Sequence, residues 1–155
     1  MTAGGHADIS ALLAAQPAEW HALLDTAPAS LGQFAYAPGK WTLAESLVHV
    51  SDTDRVFAYR LMRIARADRT PLPSFEQDDW VPESRANRRS LSEVLAELDA
   101  VRAATLALVT SLDETAVAQI GTASGREVSA RALVWLIAGH QAHHLEITRT
   151  SYLAK

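Results

Sequence analysis

Six prolines punctuate this 155-residue chain, and their placement constrains the fold more than any other feature. Pro28, Pro38, Pro71, Pro73 and Pro82 lie outside three long proline-free stretches, 41–70, 83–120 and 121–155. Proline inside a helix removes a backbone donor and clashes with the preceding turn, so helices belong in the stretches that lack it. Only Pro17 interrupts a helical pattern, which predicts a first helix over about residues 8–27 that kinks or restarts there. The second helix opens with Thr42 and Glu45 at capping-box spacing and carries Leu43, Leu47, Val50, Phe57, Leu61 and Ile64 as its apolar stripe. The third presents Leu91, Val94, Leu95, Leu98, Val101, Val109 and Leu112, and either opens with a capping box of Ser90 and Glu93 or begins a turn or two earlier. Ser129 caps the fourth, with Leu133, Leu136, Ile137 and Ile147 as its stripe. Nothing alternates with period two over any length, and residues 121–128 hold a turn or a two-residue bridge at most. Four amphipathic stripes are buried most simply in an all-α four-helix bundle, a single domain over 1–155.

Composition narrows the function. With 48% apolar and 21% charged residues the chain has a core to bury, so it is not disordered as a whole. It has no cysteine, which removes disulfides, thiolate nucleophiles and Cys-ligated zinc, and fits a cytoplasmic setting. A net charge of −4 offers no field to attract nucleic acid. The longest apolar run, Ala132–Ala138, falls far short of the ~20 residues that span a bilayer. The N-terminus lacks a basic and then apolar signal pattern.

Two charges break the stripes: Asp54 between Val50 and Phe57, and Arg102 between Leu98 and Leu106. An unpaired charge in a core is costly, so the two are predicted to meet in an ion pair. The alternative is that one of them faces a pocket and touches substrate.

Histidines carry the functional argument. His140 and His144, four apart on the fourth helix and amid its apolar stripe, project from one face and can grip one metal ion. A third ligand has to come from elsewhere. His6 and His21 read as surface, and His143 as surface or a group behind the ligands. His49 falls about a third of a turn off its stripe and shares a face with Glu45 and Asp52, so spacing alone leaves open a ligand or a solvated polar patch. Gln141 and Glu146 flank the pair off its face and carry no assigned role.

The run WTLAESLVHVSD at 41–52, followed by GHQAHHLEI at 139–147, resembles the DinB/YfiT-like superfamily. The similarity extends through DRVFAYRL at 54–61, PLPSFEQDDW at 71–80 and LDAVRAAT at 98–105. It therefore covers nearly all of the chain from Pro38 onward. The resemblance implies a four-helix bundle holding a metal through one His of the second helix and a His-x-x-x-His pair of the fourth, by position His49, His140 and His144. It also implies dimers, and low-molecular-weight thiols as substrates or cofactors of some members. Three imidazoles leave coordination positions open, and such a donor set suits zinc or nickel among divalent metals.

The expectation is a cytoplasmic metal-dependent transferase or hydrolase acting on a small molecule, with Glu45, Asp52 and Arg102 as catalytic candidates. The competing expectation is a non-catalytic metal-binding or structural bundle working through protein contacts in a stress response. Residues 68–82, with three prolines, Glu76, Asp78, Asp79, Phe75 and Trp80, form a long connection that either pins itself to the bundle by its aromatics or walls the site. Val48, Val56, Tyr59, Met62, Trp80 and Trp135 lie off the main stripes, which predicts an apolar patch and a homodimer.

Overall fold

The computed structural model describes residues 4–154, with side chains from Ile9 onward, so His6 lies outside the described side chains. Helix α1 spans Gly4–Leu24, α2 Leu43–Ala65, α3 Gln77–Glu83, α4 Leu91–Thr110, α5 Glu114–Val117 and α6 Ala130–Ile147. Strands β1 (Ile120–Ala123) and β2 (Arg126–Ser129) precede α6. The bundle consists of α1, α2, α4 and α6, with α1 and α2 each packed against both α4 and α6.

Local chemistry starts the long helices where the sequence places them. Thr42 Oγ1 accepts from the Glu45 amide while Glu45 Oε2 accepts from the Thr42 amide at 2.8 Å. Ser90 and Glu93 repeat the same exchange at α4, and Ser129 caps α6. α1 continues through Pro17 as one helix and does not restart there. Packing along its whole inner face, from Ile9 through Leu13 and Trp20 to Leu24, offsets the one backbone bond lost there.

The predicted near-absence of sheet needs correction. β1 and β2 pair antiparallel over four residues each, Ile120 opposite Ser129 and Ala123 opposite Arg126. Ser124 and Gly125 turn between them with φ of 53° and 72°, the double left-handed turn that matches strand twist. Gly121 is needed where the hairpin meets α2: a Cβ there would stand 2.7 Å from Ile64 Cγ1. Leu72 bonds both Thr122 and Ser124 through its backbone and thereby fastens the long connection to the hairpin. Buried Arg60 reinforces this by donating to the Pro73 carbonyl at 2.6 Å and to Ser124 Oγ at 3.0 Å. The connection is thus held by Leu72, Val81 and Arg60, whereas Trp80 stays 43% exposed and leans on Phe75 instead.

The core divides into two apolar clusters. One gathers Trp20, Leu24, Leu47, Val94, Leu98 and Leu145; the other gathers Leu13, Leu61, Ile64, Val109, Leu133 and Ile137. Between them lies a polar layer that touches all four bundle helices. Arg102 Nη2 meets Asp54 Oδ2 at 2.9 Å, and Thr105 Oγ1 donates to Asp54 Oδ1 at 2.6 Å. Arg102 Nη1 donates to Gln16 Oε1, and Gln16 Nε2 donates to the Ala138 carbonyl. The expected ion pair therefore exists, with both members buried. Burial pushes the Asp54 carboxyl up and the Arg102 guanidinium down, while their attraction opposes both shifts.

Leu136, placed on the inner stripe of α6 by spacing, is instead 47% exposed, and Gln141 is buried. The inner face of α6 is rotated to Leu133, Val134, Ile137, Ala138, Gln141, His144 and Leu145. Among the described residues no helix is long and apolar enough to cross a membrane.

Candidate metal centre

α2 and α6 run side by side, and their seam carries His49, His140 and His144. His49 is buried and so does not belong to a solvated polar patch: α2 is packed on two sides, by α4 and α6, and its buried arc is wider than one stripe. One ligand nitrogen from each ring lies within 4.8 Å of the others. His49 Nε2 and His140 Nε2 stand 3.0 Å apart, within hydrogen-bonding distance of each other. Two nitrogens that each bind one ion at ~2.0–2.1 Å can be no more than ~4.2 Å apart, and this pair meets that limit.

The outer ring nitrogens are held as well. His144 Nδ1 pairs with Ser46 Oγ at 3.1 Å, and His49 Nδ1 faces Thr53 Oγ1 at 3.4 Å. These contacts leave Nε2 of both rings turned toward the common point, as second partners do around metal-bound histidines. Sequence reading missed both hydroxyls. Thr53 was detectable at four residues from His49 on one helix, whereas Ser46 reaches across to α6 and left no local signal. Trp41 and Phe57 add apolar walls, with ring centroids 4.9 Å from His49 and 6.1 Å from His140.

Burial sets the protonation state. The imidazoles of His49 and His140 are lowered to about 4 and that of His144 to about 3, chiefly because burial penalises the cation. Around His140 and His144 the neighbouring rings push the same way, and the Asp78 charge opposes the shift at His49. At neutral pH the seam therefore presents three uncharged nitrogen donors. Among the described residues no carboxylate belongs to the cluster.

The other sequence candidates stand apart from this point. Glu45 Oε1 accepts from Asn87 Nδ2, and its second oxygen caps α2. Asp52 pairs with Arg55, which also pairs with Glu97 on α4. Arg102 lies in the polar layer, close enough for its charge to bear on His140. His143 is exposed, with its ring 5.4 Å from that of His144. His21, read as plain surface, bridges α1 to α4 by contacting Asp25 and Asp99 at 2.8 Å each, and both contacts raise its pKa.

One cavity of about 350 Å³ opens onto His144. Its walls include Lys40, Trp41 and Ser46, Asp78 of α3, and Tyr152 from the π-helical turn Thr148–Tyr152 that extends α6. Tyr152 is buried, donates its hydroxyl to the Trp41 carbonyl at 2.7 Å, and has a pKa pushed up to about 12 by that burial. Sequence reading missed Tyr152, because its contact to Trp41 joins residues far apart in the chain. Through Asp78 the long connection also walls the site.

The chain superimposes on the structure of YfiT from Bacillus subtilis with a TM-score of 0.79 at 19% identity, covering 96% of this chain and 89% of that one. YfiT is described as a probable metal-dependent hydrolase with an unusual four-helix bundle topology. No curated protein sequence matches the chain. The sequence pattern of the DinB superfamily matches residues 12–148, a span that includes the polar layer and all three seam histidines, and the chain belongs to that superfamily.

Proposed function

We propose that this protein is a metal-dependent enzyme that acts on a small molecule, with His49, His140 and His144 as the ligands of one divalent ion. The observation that carries this reading is the convergence of three neutral ring nitrogens, from buried His49 and His144 and half-buried His140, with no carboxylate among them. Buried imidazoles without a partner are costly, and a cation repays that cost in one step. Zinc or nickel suits the donor set. Such an ion, when bound, supplies Lewis acidity and lowers the pKa of water toward ~7.

The chain's own residues supply the rest. Ser46 and Thr53 fix the ring orientations, Trp41 and Phe57 limit water, and the cavity beside His144 admits the substrate. The description of YfiT favours hydrolysis. The resemblance to thiol-using members keeps transfer to a low-molecular-weight thiol as the second reaction, since open positions on a soft ion accept a thiolate. Glu45 and Asp52 are proposed only as outer carboxylates, and Arg102 as a structural charge. A cytoplasmic location belongs to the same proposal.

A homodimer is proposed from the outer face of α2. There two adjoining grooves share Arg55 and Tyr59, one running against Ala100 and Ala104 of α4 and the other toward Phe75 and Trp80. Light scattering tests it: a mass that stays near 16.8 kDa on concentration contradicts it.

Elemental analysis of the native protein, with hydrolase and thiol-transfer assays before and after chelation, tests the enzyme reading. One zinc or nickel per chain, lost in His49→Ala together with activity, is the expected result. Full activity in chelator overturns it.

A further inference from the structure

The cavity beside His144 carries two charged side chains of opposite sign, and they come from different parts of the chain. Lys40 belongs to the loop before α2, and Asp78 to α3. Both are exposed, and neither forms an ion pair among the described residues. Between the two charges the lining is uncharged, with Trp41, Ser46 and Tyr152 around the His144 ring. The volume of about 350 Å³ sits at the small end of the ~300–1,000 Å³ typical of ligand sites.

We infer that this mouth selects small zwitterions, with the ligand's carboxylate meeting Lys40 and its ammonium group meeting Asp78, while the group between them reaches the seam histidines. A neutral or singly charged molecule of equal size would leave one rim charge unmatched. A cation and an anion lining one cavity thereby orient the ligand as well as attract it. The inference rests on the metal reading above, because the reacting group has to find something at His144.

Cobalt(II)-loaded protein at low salt provides the test, since thiolate binding to cobalt changes its visible and near-ultraviolet absorption. The probes are L-cysteine with both charges, 3-mercaptopropionate with the carboxylate only, cysteamine with the ammonium only, and neutral 2-mercaptoethanol. Comparing variants probe by probe cancels each thiol's intrinsic affinity for cobalt. Lys40→Glu is expected to weaken cysteine and mercaptopropionate about 3–5-fold and to leave mercaptoethanol unchanged. Asp78→Lys is expected to weaken cysteine and cysteamine by about the same factor, again without touching mercaptoethanol. Both effects should shrink at high salt. If only one substitution matters, the site takes a singly charged ligand and the inference is wrong. If neither shifts any affinity while cobalt still binds, the inference fails and the metal reading stands. Failure of wild-type protein to bind cobalt at the histidines overturns both.

Discussion

Two buried polar clusters sit within one helical bundle, and they differ in how their charges are balanced. The layer of Asp54, Arg102, Thr105 and Gln16 is self-sufficient in charge: cation faces anion, and the hydroxyl and amide beside them are bonded, although Arg102 Nε is buried without a partner. The seam of His49, His140 and His144 is not, because three neutral donors face one another with a single shared hydrogen bond. A polar group that completes its own bonding inside a core is explained by the fold. One whose lone pairs converge on each other calls for something from outside. The difference sets a charge-paired layer apart from three converging ring nitrogens, of which His140 is half-buried and the others buried.

Breaking the self-sufficient cluster should have the largest effect on stability. Arg102→Met leaves Asp54 charged and buried, which is expected to cost about 3–5 kcal/mol and lower the melting temperature by roughly 6–20 °C. Adding Asp54→Leu should recover more than half of that loss, because apolar pairs replace buried ion pairs well. An unchanged unfolding midpoint with lost metal-dependent activity would instead assign Arg102 to the substrate.

The seam should respond the other way. His144→Ala is expected to reduce metal affinity more than 100-fold, about 2.7 kcal/mol at ~1.36 kcal/mol per decade, with a metal-free midpoint near wild type. Chelator competition read beside urea unfolding checks both halves. A variant that unfolds but still binds metal would reverse the assignment of the two clusters.

Acid sharpens the contrast further. Unfolded imidazoles protonate near pH 6.5, whereas the folded rings stay neutral down to about 4, 4 and 3. Between those values the unfolded state binds more protons, so the metal-free protein loses stability as pH falls, by up to about 1.4 kcal/mol per unit for each ring. Above about pH 6.5 these rings contribute no slope. His21 has the opposite sign, since its raised pKa adds stability at low pH that is lost as pH rises through it, but its exposure keeps that contribution small. Midpoints measured from pH 7.5 to 5 that stay flat would contradict neutral, buried rings.

The smallest effect belongs to the hydroxyls behind the ligands. Thr53→Val and Ser46→Ala should each weaken metal binding about 10-fold, the lower end for such partners, while the fold is kept. Equal affinity in both variants would mean that packing alone orients the rings.

How much of this was legible in the sequence follows from the range of each interaction. The caps at Thr42, Ser90 and Ser129 are local exchanges within four residues, and they stand where the pattern placed them. Asp54 and Arg102 announced themselves by interrupting stripes, and cost alone implied that they would meet. His49 was ambiguous because one stripe describes a helix packed on one side, while α2 is packed on two. The hairpin was missed because each strand has only four residues and its alternation is short, although Ser124-Gly125 marked the turn. Leu136 and Gln141 were misplaced by a rotation of α6 that its neighbours set, not its own composition. Tyr152 reaches the site only through tertiary packing; Asp78 lies in the connection that the sequence offered as a wall, and Ser46 shares a face of α2 with His49 one turn on, with only its reach to His144 left without a signal.

X-ray absorption at the edge of the bound metal tests the central claim most directly. One ion per chain with three imidazole nitrogens at ~2.0–2.1 Å is expected if it is zinc, falling to two in His49→Ala. A metal shell without three imidazoles, or one unchanged by that substitution, would contradict the claim.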